Sequence, residues 1–136
     1  MMISTKGRYA LRVIIDLAEH EKEEYIPLKD IVERQEISPK YMERIMVTLV
    51  KNDIVVGLHG KGGGYKLQKS PDKIMVGDIL RLTEGTIAPI ACLDDNKNKC
   101  SRINECRTLP MWKKLDSLIN NYLDNVSIMD LMKNDV

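Results

Sequence analysis

Cys92, Cys100 and Cys106 are the chain's three cysteines, and all of them fall in the stretch ACLDDNKNKCSRINEC. Thiolates select zinc or the iron of iron–sulfur clusters over harder cations. The spacing C-x7-C-x5-C lacks the C-x2-C clasp of structural zinc. A loosely spaced, polar, glycine-free loop suits a [2Fe–2S] cluster that can be gained and lost. Three thiolates leave one iron position for another ligand. Asp94, Asp95 and Glu105 are near in sequence, a residue of a second copy is equally open, and His20 and His59 lie far away. Zinc on the same thiols, plain redox thiols and small buried hydrophobes are the competing readings.

A second set of residues fits nucleic acid. Ser38 is a good N-cap, and Pro39 occupies a first helical position where its missing N–H costs nothing. From Pro39 to Asn52, Met42, Ile45, Met46 and Leu49 follow the i, i+3, i+4, i+7 spacing of a core-facing stripe. Lys40, Glu43, Arg44, Val47 and Lys51 fall on the other side. A preceding helix, Leu28 to Gln35, and a three-residue break make this a helix-turn-helix whose second helix enters the major groove. Lys40 and Arg44 would then reach guanine or phosphate, Glu43 cytosine N4, and Tyr41 a phosphate. Ser38 and Lys6, at the start of the first helix, complete the expected helical contacts. A solvated charged face is the bland alternative.

Downstream, Ile54 to Val56 and Tyr65 to Gln68 read as two strands around GLHGKGGGY, a β-hairpin wing. His59 and Lys61 at its tip would touch a minor groove or phosphates. The glycines do not form a nucleotide loop: Tyr65 stands where the dinucleotide pattern starting at Gly60 needs glycine, and no Lys-Ser/Thr pair follows.

The elements that position these residues are helical. Ser4 or Thr5 caps a first helix through His20, with Ala10, Leu11, Ile14, Ile15, Leu17 and Ala18 as its apolar set. Val76 to Glu84 forms a short helix, and the segment from Gly85 to Cys106 lacks periodicity. A long helix spans Pro110 to Val126, where Trp112, Leu115, Ile119, Tyr122 and Val126 alternate spacings of three and four. That seam packs either on the chain's own core or on a second copy. A helix-turn-helix reader that spans successive major grooves favours the homodimer, built on Trp112, Leu115, Ile119 and Tyr122. Ser127 to Asp130 resembles a capping box opening a last helix through Met132. The fold class expected is mainly α: a winged helix-turn-helix over 1–84, a cysteine loop over 85–107, and a dimerisation helix with a C-terminal helix over 108–136.

Composition excludes several classes. The 136 residues carry a formal net charge of +1, and residues 1–70 hold twelve Lys/Arg against ten Asp/Glu, so any basic footprint is local. There is no phenylalanine and a single tryptophan, which argues against a stacking platform for single strands. The first helix is interrupted by Arg12, Asp16, Glu19 and His20, unlike a signal peptide, and no apolar run approaches the 18 or so residues of a membrane span. The cytoplasm is the expected compartment; thiols stay reduced there, and an odd cysteine count also argues against a disulfide framework. Two histidines and no placeable Ser-His-Asp set argue against an enzyme.

STKGRYAL, ISPKYMERI, HGKGGGYKL and VGDILRLTEG, followed by SIMDLM near the end, resemble the Rrf2 family of bacterial regulators over nearly the whole chain. The cysteine triplet resembles its cluster-binding, IscR-type branch. The resemblance implies a dimeric winged-helix repressor, in some cases an activator, of double-stranded DNA operators. It also implies a [2Fe–2S] cluster per subunit on Cys92, Cys100 and Cys106. Three departures stand out. Leu109 occupies the place of the histidine that often serves as fourth ligand, the first cysteine gap is two residues longer than usual, and His59 stands where arginine is common. The branch that represses cysteine metabolism shares STKGRYAL, usually without the cysteines. Expected, then, is a regulator sensing cluster or redox status. A cysteine-metabolism repressor or a thiol- or zinc-controlled repressor, either without a cluster, and an iron–sulfur carrier or electron-transfer protein, are the alternatives.

Overall fold

The computed structural model describes residues 3–22, 24–95, 97 and 100–136. Six α-helices and one two-stranded sheet are found among them. The order is α1 (Thr5–Glu19), α2 (Leu28–Gln35), α3 (Pro39–Lys51), β1 (Val55–Leu58), β2 (Gly64–Leu67), α4 (Val76–Glu84), α5 (Leu109–Leu123) and α6 (Ile128–Met132). This is the mainly helical winged helix-turn-helix that the spacing predicts.

Local chemistry sets the boundaries. The Ser4 hydroxyl accepts the Gly7 N–H at 3.2 Å and starts α1. Ser38 does the same for Tyr41 at 3.3 Å, with Pro39 in the first turn of α3. Between α2 and α3, Glu36 takes the left-handed conformation at φ 53°, which turns the chain within three residues. Before α6, Ser127 and Asp130 form a reciprocal capping box, each side chain accepting the other's backbone N–H.

The main core lies between α1, α2 and α3. Ala10, Val13, Ile14, Ile31, Met42 and Leu49 are wholly buried. Sequence periodicity finds most of this face but misplaces its edge on α1: Val13 is in the core, whereas Leu11 and Ile15 flank it half-buried. Ile128 of α6 is also wholly buried there. The last helix therefore closes the core of the winged-helix body. Its approach is fixed by two backbone bonds, Val76 N–H to Val126 C=O and Ile128 N–H to Ile74 C=O, both 2.9 Å.

The wing pairs β1 and β2 antiparallel, with Val55 opposite Leu67 and Leu58 opposite Gly64. Compared with the sequence expectation, the strands sit nearer the turn. Gly60 and Gly62 take positive φ at the tip. Gly64 lies so close to the segment before α2 that a Cβ would stand 2.2 Å from the Ile26 carbonyl oxygen. That approach lets Ile26 and Tyr65 exchange two 2.9 Å backbone hydrogen bonds, anchoring the wing to the helical body.

A second, smaller cluster (Val76, Leu80, Ile87, Val126) joins α4 to the half-buried Ile119 and Leu123 of α5. The expected seam of α5 is thus divided. Ile119 and Val126 pack inside the chain, Trp112 is half-buried, and Leu115 and Tyr122 face out. With Met111 and Leu118 they form an exposed apolar row at spacings of four, three and four.

Candidate nucleic-acid interface and cysteine loop

On α3, the residues between the core positions point away from the body. Lys40, Glu43 and Arg44 are exposed. They line one concave surface together with Val47 and with Lys6 from the first turn of α1. A second depression at the N-terminal end of α3 gathers Ser38, Tyr41 and again Lys40 and Arg44. The residues that the sequence singles out are thus gathered by the fold, even though Lys6 is more than thirty positions from α3. His59 and Lys61 are exposed on the wing, and His59 lines a cleft between α3 and the hairpin.

Two of these residues carry structural duties as well. Ser38 Oγ is engaged as the N-cap of α3. The Tyr41 ring is half-buried and packs edge-on against Tyr9, with centroids 5.8 Å apart and an interplanar angle of 78°. Tyr9 also carries the Arg12 guanidinium at 5.0 Å. This contact fixes α3 against α1 and so fixes Lys6 relative to Lys40 and Arg44.

A buried carboxylate braces α1 against α2. Asp16 is 2% exposed and accepts from Arg34 at 2.8 and 3.0 Å and from Gln35 at 2.8 Å. Burial raises its pKa. The Arg34 and Gln35 hydrogen bonds, with the charges of Arg34 and His20, outweigh that and hold the carboxyl below the ordinary 3.8. Arg12 extends the brace, donating to the Gln35 side-chain oxygen at 3.1 Å and to its backbone carbonyl. Sequence reading misses this network. In the sequence Asp16 is only a polar interruption of an apolar helix, and nothing in its spacing points to Arg34.

The beginning of α1 is held from the other side by α4. Glu84 accepts the Ser4 hydroxyl at 2.6 Å and the Ser4 N–H at 3.1 Å. One turn earlier on α4, Arg81 reaches Asp124 at 2.8 and 3.1 Å and Asn120 at 2.5 Å, tying α4 to the end of α5. One helix therefore joins the end of α5 to the turn that carries Lys6.

The cysteines occupy the segment between α4 and α5. Cys92 is half-buried in a 3-10 turn, Ala91–Leu93, which sequence periodicity does not reveal. Cys100 and Cys106 are exposed, and all three thiols are free. The Cys100 sulfur accepts the Arg102 N–H at 3.4 Å, and the Cys106 sulfur lies 3.3 Å from the Thr108 hydroxyl. The Thr108 hydroxyl, then the Thr108 N–H, pull the Cys106 thiol below its ordinary pKa of 9.0; the Leu109 N–H and the Arg102 charge help, and burial opposes. As a donor set, three accessible thiols, one of them pulled toward thiolate, fit a thiophilic metal group. Among the described residues, no three His, Cys, Asp or Glu side chains stand together as a ligand set. Leu109, in the place of the expected histidine, is buried at the start of α5. No helix among the described residues is long and apolar enough to cross a membrane.

Comparison with known proteins agrees with this architecture. Residues 3–134 match the model of the Rrf2 family, described as an iron-dependent transcriptional regulator. The HTH-type transcriptional regulator IscR of Aliivibrio salmonicida is 37% identical over 132 residues, covering 97% of this chain and 77% of that protein. Among solved structures, T. potens IscR superimposes with a TM-score of 0.77 at 34% identity, covering all of this chain and 89% of that one. CymR, the global cysteine regulator of B. subtilis, superimposes with a TM-score of 0.76 at 30% identity, covering 98% of both chains.

Proposed function

Because this chain belongs to the Rrf2 family of winged-helix transcriptional regulators, we propose that it is a cytoplasmic, homodimeric repressor that binds double-stranded DNA operators and reports iron–sulfur or redox status. The observation that carries the DNA-binding part is the concave surface shared by Lys6, Lys40, Glu43 and Arg44 beside the wing. Lys40 and Arg44 would contact guanine or phosphate, Glu43 would accept from cytosine N4, Ser38 and Tyr41 would meet the backbone, and His59 and Lys61 would follow it into the neighbouring groove. The exposed row of Met111, Leu115, Leu118 and Tyr122 would pair with its copy across a two-fold axis. Trp112 lies at its edge, and Ile119 supports it from inside.

Cys92, Cys100 and Cys106 would hold a [2Fe–2S] cluster. Such a cluster supplies a one-electron redox centre when bound. The donor chemistry supports this assignment: three free thiols share one loop, and the Thr108 hydroxyl beside the Cys106 sulfur favours its anionic form. The chain's own contribution is mechanical. The loop runs into the first turn of α5, and Arg81 links α5 to α4, which holds Ser4 beside Lys6. A loop arrangement that shifts α5 thereby biases the DNA surface.

Anaerobic purification with visible absorption and iron and sulfide assays tests the cluster. Coloured protein with about equal iron and sulfide, and a colourless Cys92→Ala/Cys100→Ala/Cys106→Ala variant, are expected. Colourless wild-type protein that resists reconstitution would contradict the cluster and favour a thiol-controlled repressor. The lowered Cys106 thiol supports that second reading.

A further inference from the structure

Val47 does not fit the division of α3 into a buried apolar face and a charged outer one. It is 66% exposed, the most exposed large hydrophobic of the helix, and it lies on the same face as Lys40, Glu43 and Arg44. It lines the concave surface that these residues share with Lys6. It also lines the cleft between α3 and the wing, where Val50 is 38% and Leu58 49% exposed. Val47 is therefore the common wall of two depressions, one charged and one apolar.

A scattered exposed valine needs no explanation, but a contiguous apolar patch does. The surroundings identify its occupant. Lys6, Lys40 and Arg44 line the charged depression and Lys51 and His59 the apolar one, a setting that suits a polyanion. Glu43, one turn before Val47, disfavours placing phosphate at the centre of this face and favours base edges there. In the major groove, the apolar feature of a base edge is the C5-methyl group of thymine. Building on the DNA-binding reading above, we propose that Val47 is a specificity-determining residue that packs on a thymine methyl, with Val50 and Leu58 extending the apolar wall toward the wing.

The test uses a duplex selected from a randomised pool by the full-length wild-type protein. Each thymine is then replaced in turn by uracil, which deletes only the methyl. Wild-type protein should bind about four-fold more weakly when one particular thymine per recognition helix is changed, the roughly 0.8 kcal/mol expected of a buried methyl. Val47→Ala, an exposed change that leaves the core untouched, should bind the thymine duplex about four-fold more weakly than wild type. It should also be indifferent to uracil at that same position. If wild type is indifferent at every thymine, or Val47→Ala keeps the full uracil sensitivity, the assignment of Val47 is wrong while the DNA-binding reading stands. If wild-type protein selects no duplex, the DNA-binding reading itself falls.

Discussion

α3 and the cysteine loop each present reactive side chains to solvent, but they hold them by different means. On α3, Lys40, Glu43 and Arg44 alternate with Met42, Ile45, Met46 and Leu49, which are at most 1% exposed. The same helix that buries one face fixes the other. Its N-terminus is set by Ser38 and Pro39, and its position against α1 by Tyr9 and Tyr41. In the cysteine segment, one thiol is half-buried and two are exposed, and the sulfur atoms of Cys100 and Cys106 meet residues two positions along the chain. The proposed DNA surface is thus organised by the core of the fold. Among the described residues, the sulfur contacts of Cys100 and Cys106 are short-range ones. In the proposed sensor, ligand binding would rearrange the loop without costing the reader its shape.

The difference is sharpest at Asp16. Asp16→Ala removes the acceptor for Arg34 and Gln35 and should destabilise the protein by about 3 kcal/mol, measurable as a lower urea midpoint. Because the folded-state pKa is depressed, the stabilisation is present above the ordinary carboxylate pKa and is lost as pH falls through the folded value, below 3.8. Wild type should lose stability in that acid range more steeply than the variant. Equal stability of the two proteins at neutral pH would mean that Asp16 does not brace α1 against α2.

At the wing, Gly64→Ala would drive a Cβ to 2.2 Å from the Ile26 carbonyl. Backbone on both sides leaves little room to yield, so a loss of about 2 kcal/mol is expected. Amide exchange should show faster opening at Ile26 and Tyr65, whose N–H groups make the bridging bonds. Unchanged protection there would mean that the wing is not anchored through this contact.

The cysteine loop should respond least. In metal-free protein, replacing all three cysteines with alanine should change stability by no more than about 0.5 kcal/mol, in contrast to Asp16→Ala. Thiol chemistry should still discriminate within the loop. Cys106 should be alkylated by iodoacetamide at a pH below that of an ordinary thiol, and Thr108→Val should shift this upward by removing the hydroxyl that favours the thiolate. A profile unmoved by Thr108→Val would break the link between that hydroxyl and Cys106.

What the sequence reveals follows the same divide. Helix starts are readable at Ser4, Ser38 and Ser127 because a cap is a local event, confined to three or four residues. The face of α3 is readable because its core spacing is regular. The division of α5 is not: Trp112, Leu115, Ile119 and Tyr122 satisfy a heptad, but Ile119 is drawn inward by Val76, Leu80 and Val126. The outward row includes Met111 and Leu118 instead. Periodicity identifies an apolar stripe without saying which of two neighbours it faces. Long-range polar ties such as Asp16 to Arg34, Ser4 to Glu84 and Arg81 to Asp124 have no sequence signature, since each joins elements whose relative placement is set by the core.

If α1, α3 and the wing present one DNA-binding surface, as proposed, the salt dependence of binding should report on all three at once. Affinity for a pool-selected duplex would be measured across a salt series for wild type and for a Lys6→Ala/Lys40→Ala/Lys61→Ala variant, whose changes lie one on each element. The variant should bind more weakly, with a log–log salt slope shallower by about 0.9 for each phosphate that the missing lysines no longer neutralise. A variant with wild-type affinity and an unchanged slope would contradict the shared surface.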